Sequence, residues 1–214
     1  MSAPSNNKGK FITLEGGEGV GKSTQLRLLA SHMRGLGLEV VETREPGGTP
    51  GAEAIRALLL DGEADRWNPR AEALLFAAAR SDHVERVIRP GLESGAWVLC
   101  DRYIDSTRAY QAGASGLADE DIMAAHRIGS QGLMPDRTLL LSLPLDIAAE
   151  RAAARDAGHT DRFGARDMEF HSNVAAAFRS YAEAEPERFC TIDASADPES
   201  VSAQILESLA DILP

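Results

Sequence analysis

The chain has 214 residues, 43% of them hydrophobic, which is enough for one globular domain with its own core. Its formal net charge of -11 argues against a nucleic-acid partner, since such a partner needs a basic surface for phosphate contacts, so any anionic ligand must be held by local arginines. No run approaches membrane-spanning length, and Cys100 and Cys190 sit in apolar runs without metal-ligand spacing, as expected of reduced thiols in a cytoplasmic protein.

In chain order, residues 1–10 are small, polar and basic, and read as a flexible tail before a single domain over 11–214. Phe11-Ile12-Thr13-Leu14 reads as a strand. Gly16-Gly17-Glu18-Gly19-Val20-Gly21-Lys22-Ser23 then meets the phosphate-loop template G-x-x-x-x-G-K-[ST] at every fixed position. Leu26, Leu29, Ala30 and Met33 follow at helical spacing, which completes the strand, loop and helix that the motif requires. Glycines let backbone N–H groups converge on phosphate oxygens, the helix directs its positive end at them, and Lys22 adds a cation. Ser23 is expected to offer a hydroxyl to a magnesium ion bridging the phosphates.

Gly35 and Gly37 stop this helix, and Glu39 to Thr43 reads as a second strand. Arg44-Glu45-Pro46-Gly47-Gly48 follows on the edge where open α/β sheets bind ligands; composition alone leaves a plain turn equally open. Thr49-Pro50 and Asn68-Pro69 each start a helix, the second continuing to about Arg89, where Pro90 is expected to stop it. Phe76 and Arg80 are four apart and share a face. The default for Phe76 is the core, but a buried Arg80 needs an anionic or hydrogen-bonding partner.

Trp97-Val98-Leu99-Cys100-Asp101 is an apolar run ending in an acid, the usual form of a magnesium-side aspartate, with Arg102 directly after it. Tyr103, Ser106, Thr107, Tyr110 and Gln111 place polar groups at roughly helical spacing, lining a pocket or facing water. Asp119 is expected to cap a helix, Thr138 to Leu143 to form a fourth strand, and Leu145 to Ala157 another helix. Arg151, Arg155, Arg162 and Arg166 fall in a glycine-containing stretch of low apolar content that reads as a lid over about 151–166, or as a solvated loop. A helix through Phe170, Val174 and Phe178, a fifth strand at Phe189 to Ile192 and a last helix capped by Asp197 complete the reading. The fold class is α/β: a phosphate-loop NTPase with five parallel strands, about eight helices and a mobile lid.

These residues together resemble bacterial thymidylate kinases. The carriers are Glu15 to Thr24, Arg44 to Gly48, Phe76 to Arg80, and Asp101-Arg102-Tyr103-Ile104-Asp105-Ser106-Thr107 with Ala109-Tyr110-Gln111. The resemblance implies the nucleoside monophosphate kinase type of this fold, with ATP and thymidine monophosphate as substrates and magnesium. It implies a phosphate loop of Gly16, Gly17, Glu18, Gly19, Val20, Gly21, Lys22, Ser23 and Thr24, and a magnesium shell at Ser23 and Asp101. The implied acceptor site has Phe76 stacking on thymine, Arg80 and Thr107 reading its edge, and Arg44 and Arg102 on the acceptor phosphate. Glu15 and Tyr110 would face the deoxyribose, with Pro46, Ser106 and Gln111 completing the site. Lys22, Asp101, Arg102, Arg155 and Arg162 would carry the catalysis, in a homodimer without membrane or nucleic acid.

Glu18 stands where one branch of the family has an arginine, so the donor-side cation is expected from the lid, and Glu18 must turn away or pair with a base. Gly164 replaces a glutamate usual after the Asp161-Arg162-Phe163 run, and Ser142 replaces an aspartate. Other readings are a different nucleoside monophosphate kinase, a GTPase switch, against which no N-K-x-D run for guanine appears, and a non-enzymatic nucleotide binder.

Overall fold

The computed structural model describes residues 9–63, 65–156 and 161–214, with the side chains of 155 and 156 left aside. Its centre is a five-stranded, wholly parallel sheet in the order β2-β3-β1-β4-β5. The strands are β1 (Phe11–Glu15), β2 (Val40–Arg44), β3 (Trp97–Asp101), β4 (Arg137–Ser142) and β5 (Phe189–Asp193). The middle strand β1 is buried along its whole length, as a near-continuous apolar run in a two-sided sheet must be.

Alternation divides the core. Ile12, Leu14, Trp97 and Leu99 face α1 (Lys22–Gly35) and the last helix of the chain, Pro198–Ser208. Phe11, Val98 and Cys100 face the other way, toward Val84, Ile88, Tyr103 and Ile104. Leu26, Leu29 and Met33 of α1 are all buried against the first face. At about 1.5 to 3 kcal/mol each, their burial outweighs the roughly 1 kcal/mol that Gly35 costs the helix.

The remaining helices are α2 (Pro50–Leu60), α3 (Pro69–His83), α4 (Arg89–Glu93), α5 (Ile104–Thr107), α6 (Asp119–Ser130), α7 (Leu145–Asp156), α8 (Met168–Ala184) and α9, the Pro198–Ser208 helix. Thr49, Asn68 and Asp197 cap α2, α3 and α9, accepting from the N–H groups of Ala52, Ala71 and Ser200. Asp119 does not cap α6: Ala118 holds that position, and the Asp119 carboxylate instead pairs with Arg108 at 2.9 Å.

Pro90 does not end its helix. A π-helical segment, Val84–Ile88, joins α3 to α4 in one rod, which ends at Ser94 before Gly95. The wider turn, with Arg89 N–H donating to the Val84 carbonyl, shifts the bonding pattern where proline has no N–H to give. Since α3 and α4 are one rod, the helices of the described residues match the eight expected. A second π segment, Arg108–Gly113, extends α5.

Register gathers the functional candidates at one sheet edge. Leu14 pairs with Asp101 and Arg44 with Asp101, while Glu45 N–H donates to the Asp101 carbonyl and Arg102 N–H to that of Leu14. The residues after β1, β2 and β3 therefore meet beyond the carboxyl ends of the strands.

Candidate active site

The loop between β1 and α1 is shaped by glycine where nothing else fits. Gly21 caps α1 in the left-handed region with φ 94° and no side-chain cap; Thr24 N–H turns back to the Gly21 carbonyl, which leaves the Lys22 and Ser23 N–H groups for an anion. Gly19 has φ 73°, and a Cβ there would lie 2.1 Å from the Ala148 carbonyl oxygen of α7, so the loop backs directly onto that helix. Val20 anchors the loop in the core. Lys22 is buried, its Nζ donating to the carbonyls of Gly17 at 2.7 Å and Gly16 at 3.3 Å. Burial and the nearby Arg102 lower its pKa from the usual lysine value. Ser23 Oγ donates to Asp101 Oδ2 at 2.7 Å, joining the first turn of α1 to the end of β3, and Thr24 lies exposed on that turn.

Next to the loop stands Arg102, with a left-handed φ of 68°. Its guanidinium donates to Gly16 O at 2.9 Å, Ser106 Oγ at 3.0 Å and Glu18 Oε1 at 2.6 Å, and lies over the Tyr110 ring. Glu18 thus pairs with a base, the arrangement expected of a carboxylate in this loop. Burial alone would pull the Arg102 pKa down, but Tyr110, Glu18, Glu15 and Asp101 hold it above the usual value, so it stays cationic.

Glu15 does not face the space in front of the loop, contrary to expectation. It is fully buried, and accepts from the N–H groups of Tyr103 and Ser106 and from Ser106 Oγ at 2.6 Å. It belongs to the last position of β1 and holds the Tyr103–Ser106 turn, whereas Glu18 reaches the cavity. Burial first, and then Asp105, raise its pKa from 4.5 to about 7. A carboxyl with a raised folded pKa stabilises the fold fully below the unfolded value, and that contribution is lost as pH rises toward the folded one. Between pH 4.5 and about 7 the protein should therefore lose up to roughly 1.4 kcal/mol per pH unit from this group. Urea midpoints over that range should flatten in Glu15→Gln; an unchanged slope would count against the assignment.

A cavity of about 300 Å³ runs from Lys22, Ser23 and Asp101 to Phe76, Arg80 and Gln111. Arg44, Pro46, Arg102, Ser106, Thr107 and Tyr110 also line it, so apart from Glu15 the expected acceptor residues are brought together. Arg56 of α2 adds a further guanidinium, its Nη1 donating to Pro46 O at 2.7 Å. Arg44 pairs with Glu53, whose carboxylate also accepts from Gly48 N–H and so organises the loop after β2. This bond is the chief cause of a Glu53 pKa below the usual range.

Arg80, 2% exposed, is held by Glu45: its Nε donates to Glu45 Oε2 at 2.7 Å and its Nη2 to Thr107 Oγ1 at 2.8 Å. His83 Nδ1 lies 3.0 Å from the other Glu45 oxygen. The partner demanded by a buried arginine is therefore Glu45, directly after Arg44. Phe76 is half-buried, its ring 5.8 Å from that of Phe163, which also meets Tyr110 edge-on at 6.0 Å.

The arginines expected to serve the lid separate. Arg151 donates to the Ala194 and Ser195 carbonyls, beyond β5. The Arg155 side chain lies outside the described residues. Arg162 is 2% exposed and sits on the acceptor side, away from the phosphate loop, donating to Leu59 O, Glu63 O and Glu72 Oε1. It follows Asp161, whose carboxylate caps the Phe163 and Gly164 N–H groups and turns the guanidinium inward. Arg166 lies over the Phe170 ring and 3.8 Å from Glu72.

A family model described as Thymidylate kinase matches residues 14–205. The chain is 61% identical over 206 residues to a thymidylate kinase of Rhizorhabdus wittichii, covering 96% of this chain and 99% of that one. It is 52% identical over 201 residues to one from Caulobacter vibrioides, covering 92% and 94%. Its structure is similar to the crystal structure of thymidylate kinase from Ehrlichia chaffeensis, with a TM-score of 0.78, 30% identity, and coverage of 94% and 98%.

Proposed function

Because this chain belongs to the thymidylate kinase family, we propose that it transfers the γ-phosphoryl group of ATP to thymidine monophosphate, giving ADP and thymidine diphosphate. The observation that carries the reading is a continuous cavity with the phosphate loop at one end and an aromatic ring beside Arg80 and Gln111 at the other. Two polyanions must be brought together there, and the protein's work is to position them and spread the developing charge.

In this reading Lys22 and the first-turn N–H groups of α1 hold the donor phosphates. Arg44, Arg56 and Arg102 gather the acceptor phosphate, and Phe76 receives the base. Arg102 stands between the two phosphates, since it touches both the loop carbonyl of Gly16 and Ser106 on the acceptor wall. The paired hard oxygens of Ser23 and Asp101 suit a magnesium ion, which these residues would hold and which supplies positive charge to the phosphates. Closure of the segment around 151–166 excludes water from the transfer.

The test is a coupled ADP-release assay with thymidine, uridine, cytidine, guanosine and adenosine monophosphates as acceptors. Thymidine monophosphate should be consumed stoichiometrically with ATP, and turnover without acceptor should be negligible. Acceptor-independent hydrolysis, or preference for a purine, would remove the assignment.

A homodimer belongs to the same proposal. Leu74 of α3 and Ile128 of α6 are 64% and 85% exposed on adjoining helices, an apolar surface of the kind that pairs. Sedimentation velocity should show a dimer that Leu74→Glu with Ile128→Glu dissociates; a wild-type monomer at micromolar concentration would contradict it. Among the described residues no helix is long and apolar enough to cross a membrane.

A further inference from the structure

Glu72 has no place in the mechanism above, yet it is 1% exposed and lies on α3 one turn before Phe76. A buried carboxylate is costly unless paired, and here Arg162 Nη2 donates to Oε1 at 2.8 Å. Its other oxygen, Oε2, accepts from the Gln111 side-chain amide at 3.2 Å. A carboxylate can only accept, so the end of Gln111 that faces Glu72 must be its nitrogen. The oxygen is then turned the other way, and Gln111 Oε1 is buried without any hydrogen-bond partner in the protein. An orphaned buried acceptor on a cavity wall marks a place for a donor from a ligand.

Arg80 presents the opposite polarity. Its guanidinium has donors only, two of its nitrogens are already engaged by Glu45 and Thr107, and it lines the same end of the cavity. The wall beside Phe76 therefore offers one donor group and one acceptor. A pyrimidine carrying a carbonyl at C4 and a hydrogen on N3 presents an acceptor next to a donor, which matches. A pyrimidine with an amino group at C4 and a bare N3 presents the reverse and leaves both protein groups unpaired.

We propose that Glu72, buttressed by Arg162, is the positioning residue that fixes the orientation of the Gln111 amide and thereby makes the site select 4-oxo over 4-amino pyrimidines. This rests on the reading that the Phe76 end of the cavity receives the base. The carboxylate reads nothing itself. It removes the alternative in which Gln111 turns its nitrogen to the cavity and accepts the wrong edge. Arg162 directly follows Asp161 and also donates to Leu59 O and Glu63 O, so the polarity of the base site is completed only when this stretch is docked on α2 and α3.

A site built around hydrogen bonds rejects a mismatched partner far more strongly than apolar contact does, so loss of the fixed polarity should be large. The experiment is equilibrium binding of thymidine and cytidine monophosphates, both as 2′-deoxynucleotides, to the full chain by calorimetry. Glu72→Gln gives residue 72 both a donor and an acceptor and frees the Gln111 amide to turn. The preference for the thymidine form should fall at least about tenfold in this variant. In a Gln111→Ala background the same change should alter the preference by less than twofold. If Glu72→Gln does not fold because Arg162 has lost the Glu72 counter-charge, Glu72→Gln with Arg162→Met removes that charge and is measured in its place. A preference retained in the folded variant, or one that falls equally without Gln111, overturns the inference. Wild-type protein that fails to bind the thymidine form at all would instead overturn the proposed function.

Discussion

Lys22→Ala is expected to lower turnover by at least about a hundredfold to a thousandfold while the protein melts as wild type does. Every bond that Lys22 makes is to the loop itself, the Gly16 and Gly17 carbonyls, so its removal opens no cavity in the sheet core. What is lost is a cation in a water-poor recess, where an interaction with phosphate charge is worth far more than in bulk water. The effect should appear in kcat with both substrates saturating. The affinity for thymidine monophosphate alone, read by calorimetry, should be nearly unchanged. Near-normal kcat in a variant with unaltered melting would show that the loop does not act on the transferring group.

Arg102→Ala should cost more, about 10³- to 10⁵-fold in kcat, the range in which a bridging arginine acts in phosphoryl transfer. Arg102 is the group that touches the loop, the acceptor wall and Glu18 together. Its deletion removes a cation and also leaves the Glu18 carboxylate without that counter-charge beside the phosphates. A second change should therefore help: Glu18→Ala in the Arg102→Ala background is expected to recover part of the loss, because repulsion of the substrates is relieved. Arg102→Ala within a few fold of wild type would sink the bridging role, and a double variant no better than the single would show that Glu18 does not face the anions.

Much of this is legible in the sequence itself. The phosphate loop, its strand and its helix follow from fixed glycines and two periodicities, which leave little freedom, and the caps at Thr49, Asn68 and Asp197 follow from side chains that satisfy first-turn N–H groups. Cross-chain partnership was less legible. That a buried Arg80 needs an anion is readable from the sequence, but that the anion is Glu45, 35 positions earlier, depends on the turn after β2 meeting the last turns of α3. Arg162 is the reverse case, since a glycine-containing charged run reads as a flap over phosphates, whereas capping by Asp161 turns this guanidinium onto Glu72. The two π segments escaped for another reason. A wide turn shifts side chains off the 3.6-residue period on which the reading of Tyr110 and Gln111 rested, so spacing alone could not place them on one wall.

The left-handed backbone at Arg102 has an energetic meaning. A residue with a Cβ pays about 1 to 2 kcal/mol to sit at φ 68°, and glycine would relieve that strain at once. Three hydrogen bonds and a ring beneath the guanidinium keep it there. An unrestrained arginine side chain carries about 2 kcal/mol of rotamer entropy, much of which would otherwise be lost each time two nucleotides arrive. In this chain that ordering is completed once, during folding, and the distorted backbone is where the molecule stores its preorganisation.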